Sequence, residues 1–374
     1  MPGTEAQGRI TLGQAVTDPI SFPQSTAMWI GGRLRVQWIA LPLALVLTAG
    51  AQGAATEQIV IDPAELKTLA TGLRGTEGPS ALPDGSVAVL EPMGGTVLRV
   101  SIDGTRSVLA TTGMGVAGTA LGHDNALYVT KINIGAILER LRAGAPRAGA
   151  RGADGPPAGG RGGNNPPWTA SPAAILRIDL TTLAVKTLYT EYQGKLLQEP
   201  NDLVVDEWGD LWFTDTGSGS VYSARADGSG LQRSIADAQG VNGIALSPDR
   251  RTLYIVANGK LLGYGIVARG KLEQKNGHAV ARVLATLDPK IGAPDGMKTE
   301  ANGDILIACT DDGILRYSSR GTLISQIRIP GVAIVNLAFG GKDGRTLYLS
   351  DRATNDQSGR LQSMNWPRPG ATFP

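Results

Sequence analysis

The stretch LLQEPNDLVVDEWGDLWFTDT, residues 196–216, places Asn201 and Asp202 directly after a proline and directly before an apolar run. A polar turn containing Trp208 and Gly209 follows, and then a second apolar run, LWFTD. Short apolar runs bounded by turn residues are the pattern of β-strands, and Asp, Asn and Gly tolerate the backbone of tight turns. The stretch therefore reads as two antiparallel strands joined by a hairpin, with an Asn-Asp pair at the mouth of the first.

The same unit recurs along the chain. The turn-strand segments PDGSVAVLE, HDNALYVTK, EWGDLWFTD, PDRRTLYIVA, ANGDILIAC and KDGRTLYLSD are followed by partner strands GTVLRVSI, AAILRIDL, GSVYSARA, KLLGYGIV, DGILRYSS and GRLQSMNW. Most repeats lie about forty residues apart, the size of a four-stranded propeller blade. Six such units predict an all-β, six-bladed β-propeller, whose radial closure leaves few exposed edges. The segment EQIVID, residues 57–62, is expected to complete the blade begun by the C-terminal strands. No segment keeps a 3.6-residue apolar period, so no substantial helix is expected after residue 56.

Composition agrees. The 374 residues include 51 Gly and 22 Pro, with 18% charged and 5% aromatic side chains, which suits short strands and tight turns better than long surface helices. A formal charge of +2 gives no reason to expect nucleic acid as a partner. The single cysteine, Cys309, excludes an intrachain disulfide and a thiolate metal cluster, and its strand-like surroundings predict a small buried residue.

Two segments fall outside the repeats. Arg33 and Arg35 precede an apolar run at residues 38–47, and Ala49-Gly50-Ala51 has the form of a signal cleavage site. The run is too short to cross a bilayer of about 30 Å as a helix. Residues 1–55 are thus expected to be an N-terminal extension and secretory signal, with translation starting at Met1 or Met28. An uncleaved anchor is the alternative. The mature chain, residues 56–374, would be periplasmic or secreted, monomeric and without stable membrane association. Residues 140–167 are Gly, Ala, Pro and Arg, with five Arg and one Asp, and are expected to be a disordered, basic insertion in the second blade.

In a propeller, residues just before each inner strand converge on the axis although they are far apart in sequence. Glu77, Asn201, Asp202, Asn242, Asp295 and Asn336 all occupy that frame, some seven to ten residues before their hairpin turns. Each alone could be a turn cap. Together they form a ring of carboxylates and amide oxygens, which suits a hard divalent ion, Ca²⁺ first, with Mg²⁺, Mn²⁺ or Zn²⁺ as other options.

EGP, PNDLVVDEWGDLWFTD, NGIALSPDRRTLYIVA, PDGMKTEANGDILIA and NLAFGGKDGRTLYLS resemble successive blades of the SMP-30/gluconolactonase/LRE-like family, in family order from about residue 70 to 360. The resemblance implies a divalent metal at the axis and hydrolysis of a lactone, of a sugar or another small hydroxy acid. By motif it implies Glu77, Asn242 and Asp295 as metal ligands, Asn201 as a ligand or substrate contact, and Asp295 as the catalytic base. The metal would polarise the lactone carbonyl while a carboxylate takes a proton from water. Whether Asp295 or water on the metal acts as base stays open. The alternative is a non-enzymatic propeller that binds a ligand or partner around a structural ion. Glu199, the insertion and the short TDTGSGSVY segment, read as the link between the third and fourth blades, depart from the family pattern.

Other patterns carry less. GMGVAG, residues 113–118, matches a dinucleotide fingerprint but leads into a blade rather than a βαβ unit. There is no G-x-S-x-G. The two histidines, His123 and His278, are expected at the surface. Trp208, Trp212, Tyr254 and Tyr348 are expected to pack within blades.

Overall fold

The computed structural model describes residues 56–135, 172–310, 313–353 and 358–371. The expected N-terminal signal and most of the insertion lie outside the described residues. Six sheets, antiparallel except for one added strand, are arranged as a β-propeller. The inner strands are Glu77–Ala81, Val116–Leu121, Pro200–Val205, Ile244–Leu246, Pro294–Thr299 and Val332–Gly340, for blades 1 to 6 in chain order. Each pairs with a second strand across a tight turn, and third and outer strands follow. Trp212, Tyr254, Tyr348 and Cys309 are all buried, as expected, within cores shared between neighbouring blades.

Closure differs from expectation. The segment EQIVID does not complete the last blade. Glu57–Val60 pairs in parallel with Leu323–Arg328, the outer strand of blade 5, as a fifth strand. The outer strand of blade 6 is the next segment, Lys67–Leu73, which pairs antiparallel with Gly359–Asn365. The physical reason lies in burial. Leu69, Ala70 and Leu73 are buried between blades 6 and 1, whereas Glu57, Gln58 and Val60 stay exposed. Lys67–Leu73 and Gly359–Asn365, nearly three hundred residues apart in sequence, thus share one sheet, and the ring closes through hydrogen bonds between them.

The TDTGSGSVY segment is also not a link between blades. It is the turn joining Leu211–Asp215 to Ser220–Ala224, the second and third strands of blade 3. Among the described residues, helix is confined to a 3-10 turn at Pro63–Glu65 and a helical start at residues 134–135. No helix there is long and apolar enough to cross a membrane.

Trp208 departs from its expected place. It sits in the turn between the first two strands of blade 3, after Val205 and before Leu211, and is 39% exposed. Strand alternation does not extend into a turn, so its indole has no neighbouring blade to enter.

Candidate functional site

Each inner strand begins at one end of the axial channel, and there most of them break pairing register. The shift falls between Glu77 and Ser80, Val116 and Thr119, Pro200 and Leu203, Pro294 and Met297, and Ile334 and Asn336. A bulge re-aims successive side chains and increases local twist. Repeated at one phase around a ring, it delivers two residues per blade to the axis. In blade 4 the regular strand starts just after this pair, Asn242-Gly243.

The first position of each pair holds Glu77, Ala117, Asn201, Asn242, Asp295 and Val335; the second holds Gly78, Gly118, Asp202, Gly243, Gly296 and Asn336. Glu77, Asn201, Asn242 and Asp295 are half-buried, while Asp202 and Asn336 are buried. The ring expected from sequence therefore splits into two layers. Asn336 does not share the position of Glu77 and Asp295, because Val335 occupies the first place of its pair.

Glycine at the second position makes room for the neighbouring blade. A Cβ on Gly78 would meet the backbone of Ala117 and Thr119, one on Gly118 would meet Asn201 O and Asp202 Oδ1, and one on Gly243 would meet Asp295 O. A Cβ on Gly296 would overlap the Asn336 amide. The six inner strands thus approach one another too closely for six side chains, and Asp202 and Asn336 fill the space. They bond directly: Asn336 Nδ2 donates to Asp202 Oδ1 at 2.9 Å. Threonine hydroxyls tie the layer to the next blade. Thr214 Oγ1 accepts from Asp202 N at 3.1 Å and donates to Asn242 O at 2.6 Å. Thr130 Oγ1 does the same between Gly118 N and Asn201 O.

The electrostatics ask for a cation. Burial pushes the Glu77 carboxyl well above its ordinary range, and the nearby carboxylates of Asp295 and Asp202 push it further. Asn242 Oδ1 and Asp202 Oδ2 are buried without a hydrogen-bond partner. Buried oxygens left unpaired and carboxylates facing one another are both costly, and a hard divalent ion relieves both. Glu77, Asn201, Asn242 and Asp295 fit such an ion as a mixed carboxylate and amide set. No group of three His, Cys, Asp or Glu suited to a metal is assembled among the described residues, so amide oxygens would have to contribute.

Lys298 was not singled out by the sequence. Burial pushes its ammonium down, and the Asp202 carboxylate counters that shift. Asp202 is in turn raised by burial and lowered by Lys298 and Asn336. Lys298 lines a cavity of about 140 Å³ at the far end of the channel. Ser80, Ala120, Val204, Ala245 and Ala338 hold the equivalent position in the other blades. Superposing the repeats by phase would have exposed the one long side chain among small ones.

Glu199 is buried at the rim. His123 and His278 are exposed, and GMGVAG forms the entry to blade 2, as the sequence implies.

Comparison with known proteins adds an independent observation. The profile of the SMP-30/Gluconolactonase/LRE-like region matches residues 76–352. A gluconolactonase of Zymomonas mobilis is 29% identical over 212 residues, which cover 49% of this chain and 57% of that protein. A 6-deoxy-6-sulfogluconolactonase of Pseudomonas putida is 31% identical over 182 residues, 46% of this chain and 60% of that protein. The chain thus spans less than two thirds of the length of either relative. A solved gluconolactonase structure from Xanthomonas campestris superposes with a TM-score of 0.60 at 24% identity, covering 81% of this chain and 89% of that one; the likeness concerns the fold.

Proposed function

The chain belongs to the SMP-30/gluconolactonase/LRE-like family, and from that premise we propose that it hydrolyses a small lactone, of a sugar or related hydroxy acid, at the mouth of the axial channel. The observation that carries this reading is the electrostatic contact of the Glu77 and Asp295 carboxylates in the layer where Asn242 leaves a buried oxygen unpartnered. The relatives' names support the substrate class.

Glu77, Asn201, Asn242 and Asp295 would hold a divalent ion, Ca²⁺ first because every donor is a hard oxygen. When bound, the ion supplies charge stabilisation at the lactone carbonyl oxygen. Asp295 takes a proton from water as the water oxygen bonds to the carbonyl carbon. The ring C–O bond then breaks, and Asp295 returns the proton to the departing alkoxide. The product is an open-chain hydroxy acid. Asn201, half-buried at the same level, orients the substrate hydroxyls. The Asp202–Asn336 pair beneath holds the layer in place. Export and a monomeric state remain part of the same reading, resting on the segment around residues 33–51 and on the closed ring.

The test is lactone turnover by the purified protein before and after chelation, with Ca²⁺, Mg²⁺, Mn²⁺ or Zn²⁺ restored singly. Loss on chelation and recovery with one ion is the expected result. Asp295→Asn should lower kcat by about 10²–10⁴, the range for loss of a general base. Turnover that ignores the chelator, or a fully active Asp295→Asn protein, removes the proposal.

A further inference from the structure

A second cleft lies at the opposite face of the ring. Inner strands run from the mouth to that face, so the turns after first and third strands gather there. The cleft holds about 480 Å³ and is lined by the first turns of blades 2 and 3 and by third-to-outer turns of blades 3 and 4. This volume is in the range of small-molecule sites.

Its walls are rigidly built. Asp206, fully buried, accepts from Trp208 N and Asp210 N, both at 3.0 Å, and from Trp212 Nε1 at 2.9 Å. His123 Nε2 from blade 2 lies 3.0 Å from Asp206 O. The turn that presents the exposed Trp208 indole is thereby fixed from two blades. On one wall Arg177 bonds Asp124 Oδ2 through Nε at 2.9 Å and Nη2 at 2.8 Å, and Tyr128 Oη donates to the same oxygen. On the other, Arg269 grips Asp210 with Nε at 2.7 Å and Nη2 at 2.9 Å, yet remains 50% exposed.

The chemistry selects a ligand class. Arg177, Lys186 and Arg269 balance Asp124, Asp210 and Asp227, so the lining carries no net formal charge. An ionic ligand at either wall would have to break the Arg177–Asp124 or the Arg269–Asp210 pair. A hydroxyl both donates and accepts, and can bridge a guanidinium and its carboxylate without separating them. A sugar also has an apolar C–H face, which an exposed indole covers. We propose that this cleft binds a neutral saccharide, stacked on Trp208 and hydrogen-bonded by the Arg177–Asp124 and Arg269–Asp210 pairs. The site is separate from the axial mouth and independent of the lactone reading.

Saturation-transfer NMR on the full chain, with cellobiose and maltose as probes, tests it. Transfer to at least one of them is expected, with affinity reduced at least about tenfold, some 1.4 kcal/mol, in Trp208→Ala. Because Trp208 is outside the core, a thermal melt of that variant should match the parent. Arg177→Lys, which keeps the charge and loses the fork, should weaken binding as well. Asp295→Asn should leave it unchanged. Transfer to neither sugar, transfer that survives both cleft variants, or transfer lost in Asp295→Asn overturns the proposal. So does tighter binding of cellobionate than of cellobiose.

Discussion

Gly296 is the residue at which the axis has least room. Its backbone does not need glycine's conformational freedom, since its φ is not positive. What it needs is the missing Cβ, whose place the Asn336 amide takes. Gly296→Ala should displace Asn336, break its 2.9 Å bond to Asp202 and cost about 1–3 kcal/mol, the usual range for overpacking. Urea unfolding gives the stability and lactone turnover should fall with it. Asp351 makes a different residue-scale point. Its side chain is fully buried, and burial raises its pKa from 3.8 to about 6 despite the Arg360 ion pair at 2.6 Å. The folded state therefore binds this proton more tightly than the unfolded one. The contribution is greatest below pH about 4 and is lost as pH rises through about 6, amounting to at most about 3 kcal/mol. Asp351→Asn removes this dependence. Across that window its urea midpoint should move upward relative to that of the parent protein as pH rises.

At the scale of elements, the loops before the inner strands are held by acids at the ends of the second strands. Asp215 Oδ1 and Oδ2 accept from Glu199 N at 2.8 Å and Gln198 N at 3.0 Å, and Oδ1 also accepts from Ser218 N at 3.1 Å. Glu91 plays this part in blade 1, accepting from Arg74 N at 3.0 Å, three residues before Glu77. These bonds fix the segments that lead into Asn201 and Glu77. Asp215→Ala leaves three amides to find water and should cost about 3 kcal/mol, in line with hydrogen bonds to a charged group. Because it frees the approach to Asn201, KM for the lactone should rise more than kcat falls. An unchanged KM would separate the loop from substrate binding.

At the scale of the molecule, closure depends on Lys67–Leu73 and not on Glu57–Val60. A chain beginning at residue 64 loses the added fifth strand of blade 5, Ile61 that follows it and the Asp62 cap of the 3-10 turn, but no strand of the closing sheet, and should keep its strand circular dichroism. A chain beginning at residue 75 leaves Gly359–Asn365 as an open edge and uncovers Leu69's partners in blades 6 and 1. An unpaired apolar edge is a template for association. Size-exclusion chromatography should show the longer truncation aggregated and the shorter one not.

Six blades and the polar residues at the mouth were legible in the sequence, because strand alternation and turn chemistry are local and repeat with the blade. The inner strands were not, since Glu77, Asn201 and Asp295 lie on them rather than before them, and the runs after the hairpin turns are the second strands. Glu77, Asn201, Asn242 and Asp295 could be named for the same reason, since a repeat carries equivalent residues to equivalent places. What the sequence could not supply were facts set by contacts between distant segments. EQIVID and KTLATGL are both plausible outer strands, and burial against blades 6 and 1 selects the second. Val335 takes the first place of its pair, so Asn336 falls in the second, where its amide bonds Asp202 and also reaches Glu77. Lys298 and Trp208 look like ordinary members of their repeats until the ring places one in the axial channel and the other in an open cleft.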